Sequence, residues 1–392
     1  WLKPFWLKLR SRWGPSRSWM MGCNGSKLQT VSNITAKESA GKPEQDIEIV
    51  MEIRDESAPE PLPAQLDDLS MALLSRALLA SENTAQIQDA YAFAEHIGDG
   101  AHGSVCQARR RSNGAPCAVK TIAKAPAQGC GKEPERGLRA IKQEIHIMKM
   151  LDHPNIVQFY DAFEDRRNVH LVMELCSGGT FLDHLEVAGH CAEVEAAILM
   201  RQLMDAVSYM HQRYTCHRDL KPENILLLTE GPLERNVAKL ADFSFACSFV
   251  PGKALRDRIG TLPYVAPEVL EGYYDHRCDI WGCGIILYEA LCGFAPFKGS
   301  TESEVQDKIQ FGTFTFEEEC WDHISLQVQD LISALLMLEP RDRSTLEHAL
   351  RHPWTVSKGT ATSDYSKSKG AIGHDGVRGC LPSGPWCLPC RS

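Results

Sequence analysis

From about Tyr91 the chain begins to alternate. The stretches "YAFAEHIGDGAHGSVCQARR" and "APCAVKTIAK" set apolar and polar residues at a period of two, the first interrupted by glycines, and so predict strands of a half-buried sheet. "AIKQEIHIMKMLD" (140–152) repeats at helical period and "VHLVMEL" (169–175) returns to strand. Beyond residue 180 helical spacing dominates, in "AAILMRQLMDAVSYMHQR", "DIWGCGIILYEALCG" and "SLQVQDLISALLML". A strand-rich segment followed by a helix-rich one predicts an α+β protein of two lobes, 91–175 and 176–354, with a cleft between them. Ahead of it, "LDDLSMALLSRALLASEN" (66–83) has helical spacing, and residues 28–65, rich in Glu, Pro and Ser, read as linker. After Trp354 the Ser/Lys/Gly-rich residues 355–392 show no period, and a disordered tail is expected.

Composition narrows the classes. A net charge of −9 argues against a binder of nucleic-acid backbones, which needs a basic face. The 15 cysteines are mostly scattered singly through apolar segments, among them Cys106, Cys117, Cys216, Cys283 and Cys292, as expected of reduced thiols in a cytoplasmic setting. "CLPSGPWCLPC" groups Cys380, Cys387 and Cys390 without a fourth ligand at zinc spacing. No apolar run approaches the roughly 18–20 residues that span a bilayer. Residues 1–20, with five Lys/Arg, four Trp and no acid, read as upstream leader or as an interfacial basic-aromatic segment. "MGCNGSK" (21–27) then fits an acylation signal: with Met21 removed, Gly22 takes myristate and Cys23 palmitate, the two anchors that stable peripheral membrane attachment requires. Residues 21–85 are thus expected to be an acylation motif and flexible linker, and the protein a monomer.

The chemistry concentrates between residues 98 and 242. "GDGAHGSV" spaces Gly98, Gly100 and Gly103 as a turn whose backbone can lie against phosphates, with Val105 on the returning strand. The same spacing occurs in dinucleotide folds between a strand and a helix, but here both flanks read as strand. "CAVK" ends on Lys120, which could pair with ATP phosphates if a carboxylate orients it; Glu144, one helical turn before Met148, supplies one. In "HRDLKPEN" (217–224), Asp219 would accept or orient the proton of an attacking hydroxyl, Lys221 would neutralise a transferring phosphoryl group, and Asn224 would hold Mg2+. "KLADFS" brings a second hard oxygen ligand, Asp242.

In this order, from Gly98 to Arg343, the motifs resemble those of the eukaryotic protein kinases. That resemblance implies the bilobal kinase fold and use of ATP. It also assigns "APE" (266–268), Asp279 in "DIWGCG", and Arg343 as partner of Glu268. It further implies that Ile97, Val105, Ala118 and Leu226 enclose adenine, that Met173 is the gatekeeper and Glu174 to Cys176 the hinge, and that Met148, Phe159, His217 and Phe243 stack as a spine anchored by Asp279. Within the family, "LVMELCSGGTFLDHL" and "RDRIGTLPYVAPEVLEGYYDHRCDIWGCGIILYEALCGFAPF" are most similar to the calcium-dependent protein kinases of plants and alveolate protists. "KPEN" implies Ser/Thr specificity, and Glu223 a preference for protein substrates with basic residues upstream of the hydroxyl.

The chain also departs from the pattern. Ser244 stands where the family has the glycine of D-F-G and is expected to stiffen that motif. His102 replaces an aromatic at the tip of the glycine turn, and Thr180 replaces a glutamate of many basophilic relatives. No D-x-D-x-D-G loop occurs, so no EF-hand calcium site is expected. Between Ser248 and Thr261 there is no Ser, Thr or Tyr; Asp257 is expected to offer Arg218, or a neighbouring cation, a permanent negative charge instead. Two functions follow: an active Ser/Thr kinase in calcium-linked signalling at a membrane, or an impaired pseudokinase acting as a scaffold.

Overall fold

The computed structural model describes residues 86–358 apart from 101–102, 125–133 and 317–318, together with the pairs 20–21 and 29–30. The expected helix at 66–83, Gly22, Cys23, His102 and the cysteines of the tail lie outside the described residues. The chain divides into two units, 1–69 and 70–392. In the first, Met20–Met21 pairs antiparallel with Gln29–Thr30. The second carries the strands and helices from residue 87 onward.

A short helix, α1 (Ile87–Ala90), leads into five antiparallel strands: β1 (Tyr91–Gly100), β2 (Gly103–Arg110), β3 (Pro116–Ala123), β4 (Phe159–Glu164) and β5 (Asn168–Met173), in the spatial order β1-β2-β3-β5-β4. The alternation of β3 divides its side chains between two cores. Cys117 and Val119 join Ile87, Tyr91, Ala108, Phe163 and Val172 on one face, while Ile122 packs into the main core on the other. Ala118 and Lys120 share that second face with Ile122, two and four residues along the strand. Helix α2 (Pro134–Met150) covers it with Ile141, Glu144, Ile145 and Met148, the i, i+3, i+4, i+7 spacing of one helical stripe.

The second lobe is helical: α3 (Phe181–Ala188), α4 (Glu193–Gln212), α5 (Pro267–Glu271), α6 (Cys278–Cys292), α7 (Glu302–Phe311), α8 (Leu326–Leu335), α9 (Leu346–Arg351) and α10 (Pro353–Lys358). Fourteen of the fifteen residues of α6 are buried, so this helix forms the centre of the lobe rather than an amphipathic wall. Two short ribbons cross the top of the lobe. Strand β6 (Thr215–Cys216) pairs with β9 (Cys247–Ser248), and β7 (Ile225–Leu227) with β8 (Ala238–Leu240), so the segments between them are held at the cleft.

The domain does not stop at Trp354. Helix α10 runs to Lys358, and both Trp354 and Thr355 are fully buried. The reason is Glu193 at the start of α4. Its carboxylate accepts hydrogen bonds from Ser325 N (3.0 Å) and Oγ (2.7 Å), Trp354 Nε1 (2.6 Å) and Lys358 Nζ (2.8 Å). Burial pushes this carboxyl up, but the bonds from Lys358, Ser325 and Trp354 outweigh it and hold it down at about 2. The tail expected from residue 355 therefore begins no earlier than 359.

Candidate active site

Lys120 is buried at the junction of the lobes. Its Nζ lies 2.8 Å from Glu144 Oε1 and 3.0 Å from Asp242 Oδ1. Burial opposes its charge, yet the two carboxylates raise its pKa, so the ammonium persists in a dry setting. Val105 lies directly across from Lys120 in the β2–β3 ladder, and Ala118 is two residues away on the same face. Met173 pairs with Ala118 in turn. These side chains therefore roof one surface, with the β1–β2 turn beside it.

That turn has a steric reason for one glycine. A Cβ on Gly103 would sit 2.1 Å from the Thr121 carbonyl oxygen of β3, which no side chain can accept. At Gly98 a Cβ would meet nothing within 4 Å, so this position faces open space. Gly100 pairs with Gly103 across the turn, and Ile97 is half exposed beside it. At the other edge the Glu174 carboxylate accepts from Lys239 Nζ (2.8 Å) and Gln158 N (3.3 Å), so this side chain is committed to the protein rather than to a nucleotide. Cys176 follows it, and burial pushes its thiol up to about 12. Leu226, on β7, is bridged to Thr180.

The 217–224 segment is held from beneath. Asp279, at the first turn of α6, accepts from the backbone N of His217 (2.9 Å) and of Arg218 (2.8 Å) and lies 2.8 Å from His211 Nε2. Burial would push this carboxyl up; the bonds to His211 and from the Arg218 amide hold it at about 2. The anchorage offsets backbone strain at Arg218, whose φ is 69°. His217 stacks edge-to-face on Phe243 at 5.3 Å, and both are fully buried in the core that includes Met148, with Phe159 packed against it. Of the expected spine, the His217–Phe243 contact is present.

Above the anchor, Asp219 sits in a network. Asn224 Nδ2 donates to Asp219 O (2.8 Å) and Oδ2 (3.1 Å), Lys221 Nζ lies 3.2 Å from Oδ2, and Thr261 Oγ1 donates to Oδ1 (2.8 Å). Lys221 also donates to Thr261 (2.8 Å). Because both bonds from Nδ2 go to Asp219, the Asn224 amide is fixed with its Oδ1 turned away as an acceptor. With the carboxylate of Asp242 this makes a pair of hard oxygen donors, which fits magnesium rather than a thiophilic ion. Ala241 N donates to Asn224 O (2.8 Å), tying the two ligand-bearing segments together.

Several residues do what sequence reading did not assign to them. Thr261 links Asp219 to Lys221 from 42 residues away. Tyr264 donates to Glu289 Oε2 (2.8 Å); burial raises the pKa of both, and the nearby Glu223 charge adds to it. Glu223 Oε2 is buried without a hydrogen-bond partner. Nothing local marks Glu289, which lies in a helix otherwise buried. Among the described residues, positive φ outside glycine occurs at Tyr214, Arg218 and Asp242 and not at Ser244, so the serine side chain is not forced into the left-handed region. Arg218 Nη1 bonds Asp257 Oδ2 (3.1 Å) and Tyr274 Oη (3.2 Å), as the loop composition suggested, and Arg343 forks onto Glu268 at 2.5 and 2.7 Å.

A family model described as a protein kinase domain matches residues 91–355. The chain is 36% identical over 273 residues to calcium-dependent protein kinase 5 of Plasmodium falciparum (isolate 3D7), covering 69% of this chain and 46% of that protein. It is 38% identical over 277 residues to a probable myosin light chain kinase of Dictyostelium discoideum, covering 70% and 69%. To calcium-dependent protein kinase 27 of Oryza sativa subsp. japonica it is 35% identical over 300 residues, covering 76% and 48%. The chain spans about half the length of the calcium-dependent kinases it matches.

Proposed function

This chain belongs to the protein kinase family, and from that membership we propose that it transfers the γ-phosphoryl group of ATP to serine and threonine hydroxyls of proteins. The observation that carries the reading is the dry Lys120–Glu144 pair joined to Asp242, with Asp219 held in its own network beneath it. Lys120 meets the phosphates of the nucleotide. Asp219 orients the attacking hydroxyl and takes its proton, while Thr261 and Lys221 fix the carboxylate's rotamer. Lys221, moving from Asp219 toward the phosphoryl oxygens, neutralises developing charge there. Magnesium bound through Asp242 and Asn224 Oδ1 would screen the phosphate oxygens.

The cluster of Glu223, Glu289 and Tyr264 supports a preference for a basic residue upstream of the hydroxyl. An unpartnered buried carboxylate oxygen beside a second carboxylate is satisfied best by a guanidinium fork. Thr180 takes no part: its hydroxyl accepts from Asp183 N (3.0 Å) as the N-cap of α3. Acylation of Gly22 and Cys23, attachment to a membrane and a place in calcium-linked signalling complete the proposal. The sequence "MGCNGSK" supports the first two, and the names of the calcium-dependent relatives support the last. The scaffold reading has no observation in its favour among the described residues: Lys120, Glu144, Asp219, Asn224 and Asp242 are all retained, and Ser244 is not held at positive φ.

The test is a phosphotransfer assay on the full chain with magnesium, ATP and an arginine-containing Ser/Thr peptide. Asp219→Asn should lower the rate by roughly 10²–10⁴ while binding of a fluorescent ATP analogue is retained. Equal rates for both proteins would remove Asp219 from its role.

A further inference from the structure

Beneath the catalytic loop, six side chains with metal-binding atoms converge from four places in the sequence. Cys216 ends β6 and Cys247 lies directly opposite it on β9. Cys278 opens α6, with its Sγ 3.6 Å from the Cys216 Sγ. Asp279 follows, and His211 reaches it from the end of α4. One ligand atom each from His211, Cys216 and Asp279 lie within 4.8 Å of one another. The His276 ring stands edge-on to His211 at 4.8 Å, on the less buried side.

The phosphotransfer proposed above uses none of the thiols. We propose that Cys216, Cys278 and His211, with a carboxylate oxygen of Asp279, bind a thiophilic divalent cation, zinc, and that its binding lowers phosphotransfer. The thiol pair is already near the separation this requires, because two thiolates on a tetrahedral zinc at about 2.3 Å stand roughly 3.8 Å apart. Sulfur and imidazole select zinc over magnesium or calcium, which prefer all-oxygen sets.

Zinc displaces the thiol protons on binding: two thiols and one hydrated cation give a dithiolate complex, two protons released to solvent, and free water. The consequence for the kinase follows from Asp279. Its two oxygens hold the His217 and Arg218 amides, so drawing one of them, and His211 with it, onto a cation disturbs the support of the segment that carries Asp219.

The test uses the full chain, reduced and freed of metal with a chelator. Cobalt titration should produce a thiolate-to-cobalt charge-transfer band in the near ultraviolet that falls by about half in Cys216→Val and in Cys278→Ala and is lost when both are replaced. Zinc, added with magnesium–ATP in excess, should lower the rate at least tenfold in wild type, reversibly on chelation, and much less in either variant. Zinc-edge X-ray absorption of the wild-type protein needs no variant and should show two sulfur neighbours. A band of unchanged intensity in both single variants and in the double variant, as the cysteines of the tail would give, overturns the proposal. So does oxygen and nitrogen coordination alone, or equal zinc inhibition of wild type and variants, either of which would place the ion at Asn224 and Asp242 or elsewhere.

Discussion

The glycine turn between β1 and β2 and the loop from Cys216 to Asn224 both serve the proposed phosphate site, yet they are held in different ways. Along β1, residues 93–97 are exposed, the strand slips register twice against β2, and the His96–Asp99 contact is 50% and 80% exposed at its two side chains. In the loop, His217, Asp219 and Asn224 are buried, and their polar atoms are bonded to one another and to Asp279. Backbone sterics shape the turn, whereas hydrogen bonds to one carboxylate shape the loop. The loop can therefore be preorganised for charge that develops during transfer, while the turn only has to let a backbone come close.

The largest effect should come from removing the loop's anchor. Asp279→Ala leaves two buried amides and His211 without their acceptor, and should cost about 3–5 kcal/mol of stability and nearly all activity, read by thermal unfolding and the peptide assay. The native carboxyl, at about 2, lies below its unfolded value, so its contribution is full above about pH 4 and is lost as pH falls through about 2. Loss of that contribution near neutral pH would mean the anchor is not the carboxylate. In the turn, Gly103→Ala should lower kcat/KM for ATP at least tenfold, because its Cβ meets backbone of β3, while Gly98→Ala, facing open space, should stay within about threefold. If the two behave alike, close approach is not what shapes the turn.

The smallest effect is expected at the loop's outer edge. Arg218 is 8% exposed but its partner Asp257 is 71% exposed, so the pair is worth at most about 1 kcal/mol. Asp257→Ala should lower activity by up to about fivefold and reduce hydrogen-exchange protection of residues 249–260. Phosphatase treatment of wild type should change nothing; abolished activity would mean that phosphorylation, not Asp257, orders the segment.

What sequence reading could reach follows the same division. That Lys120 comes together with Asp242, and Asn224 with Asp219, was legible because each lies in a short run of recognisable spacing. The two lobes were legible from the change of period near residue 180. Thr261 and Glu289 were not, since their partners lie 42 and 25 residues away and neither sits in a polar run. The thiol cluster was hidden for a related reason: Cys216, Cys247 and Cys278 read as single buried cysteines until the β6–β9 pairing and the start of α6 bring them together. The fold boundary was misplaced because α10 is six residues long, too short for a periodic signal.

The Glu193 clasp has a consequence for how such a chain can be spliced. One carboxylate fastens the beginning of α4 to the start of α8 and to both ends of α10, so the last turn of the domain is sewn to its middle. A genetic junction placed after Lys358 can therefore exchange one downstream module for another without unpicking a stitch, while a junction a few codons earlier would cut through the seam itself.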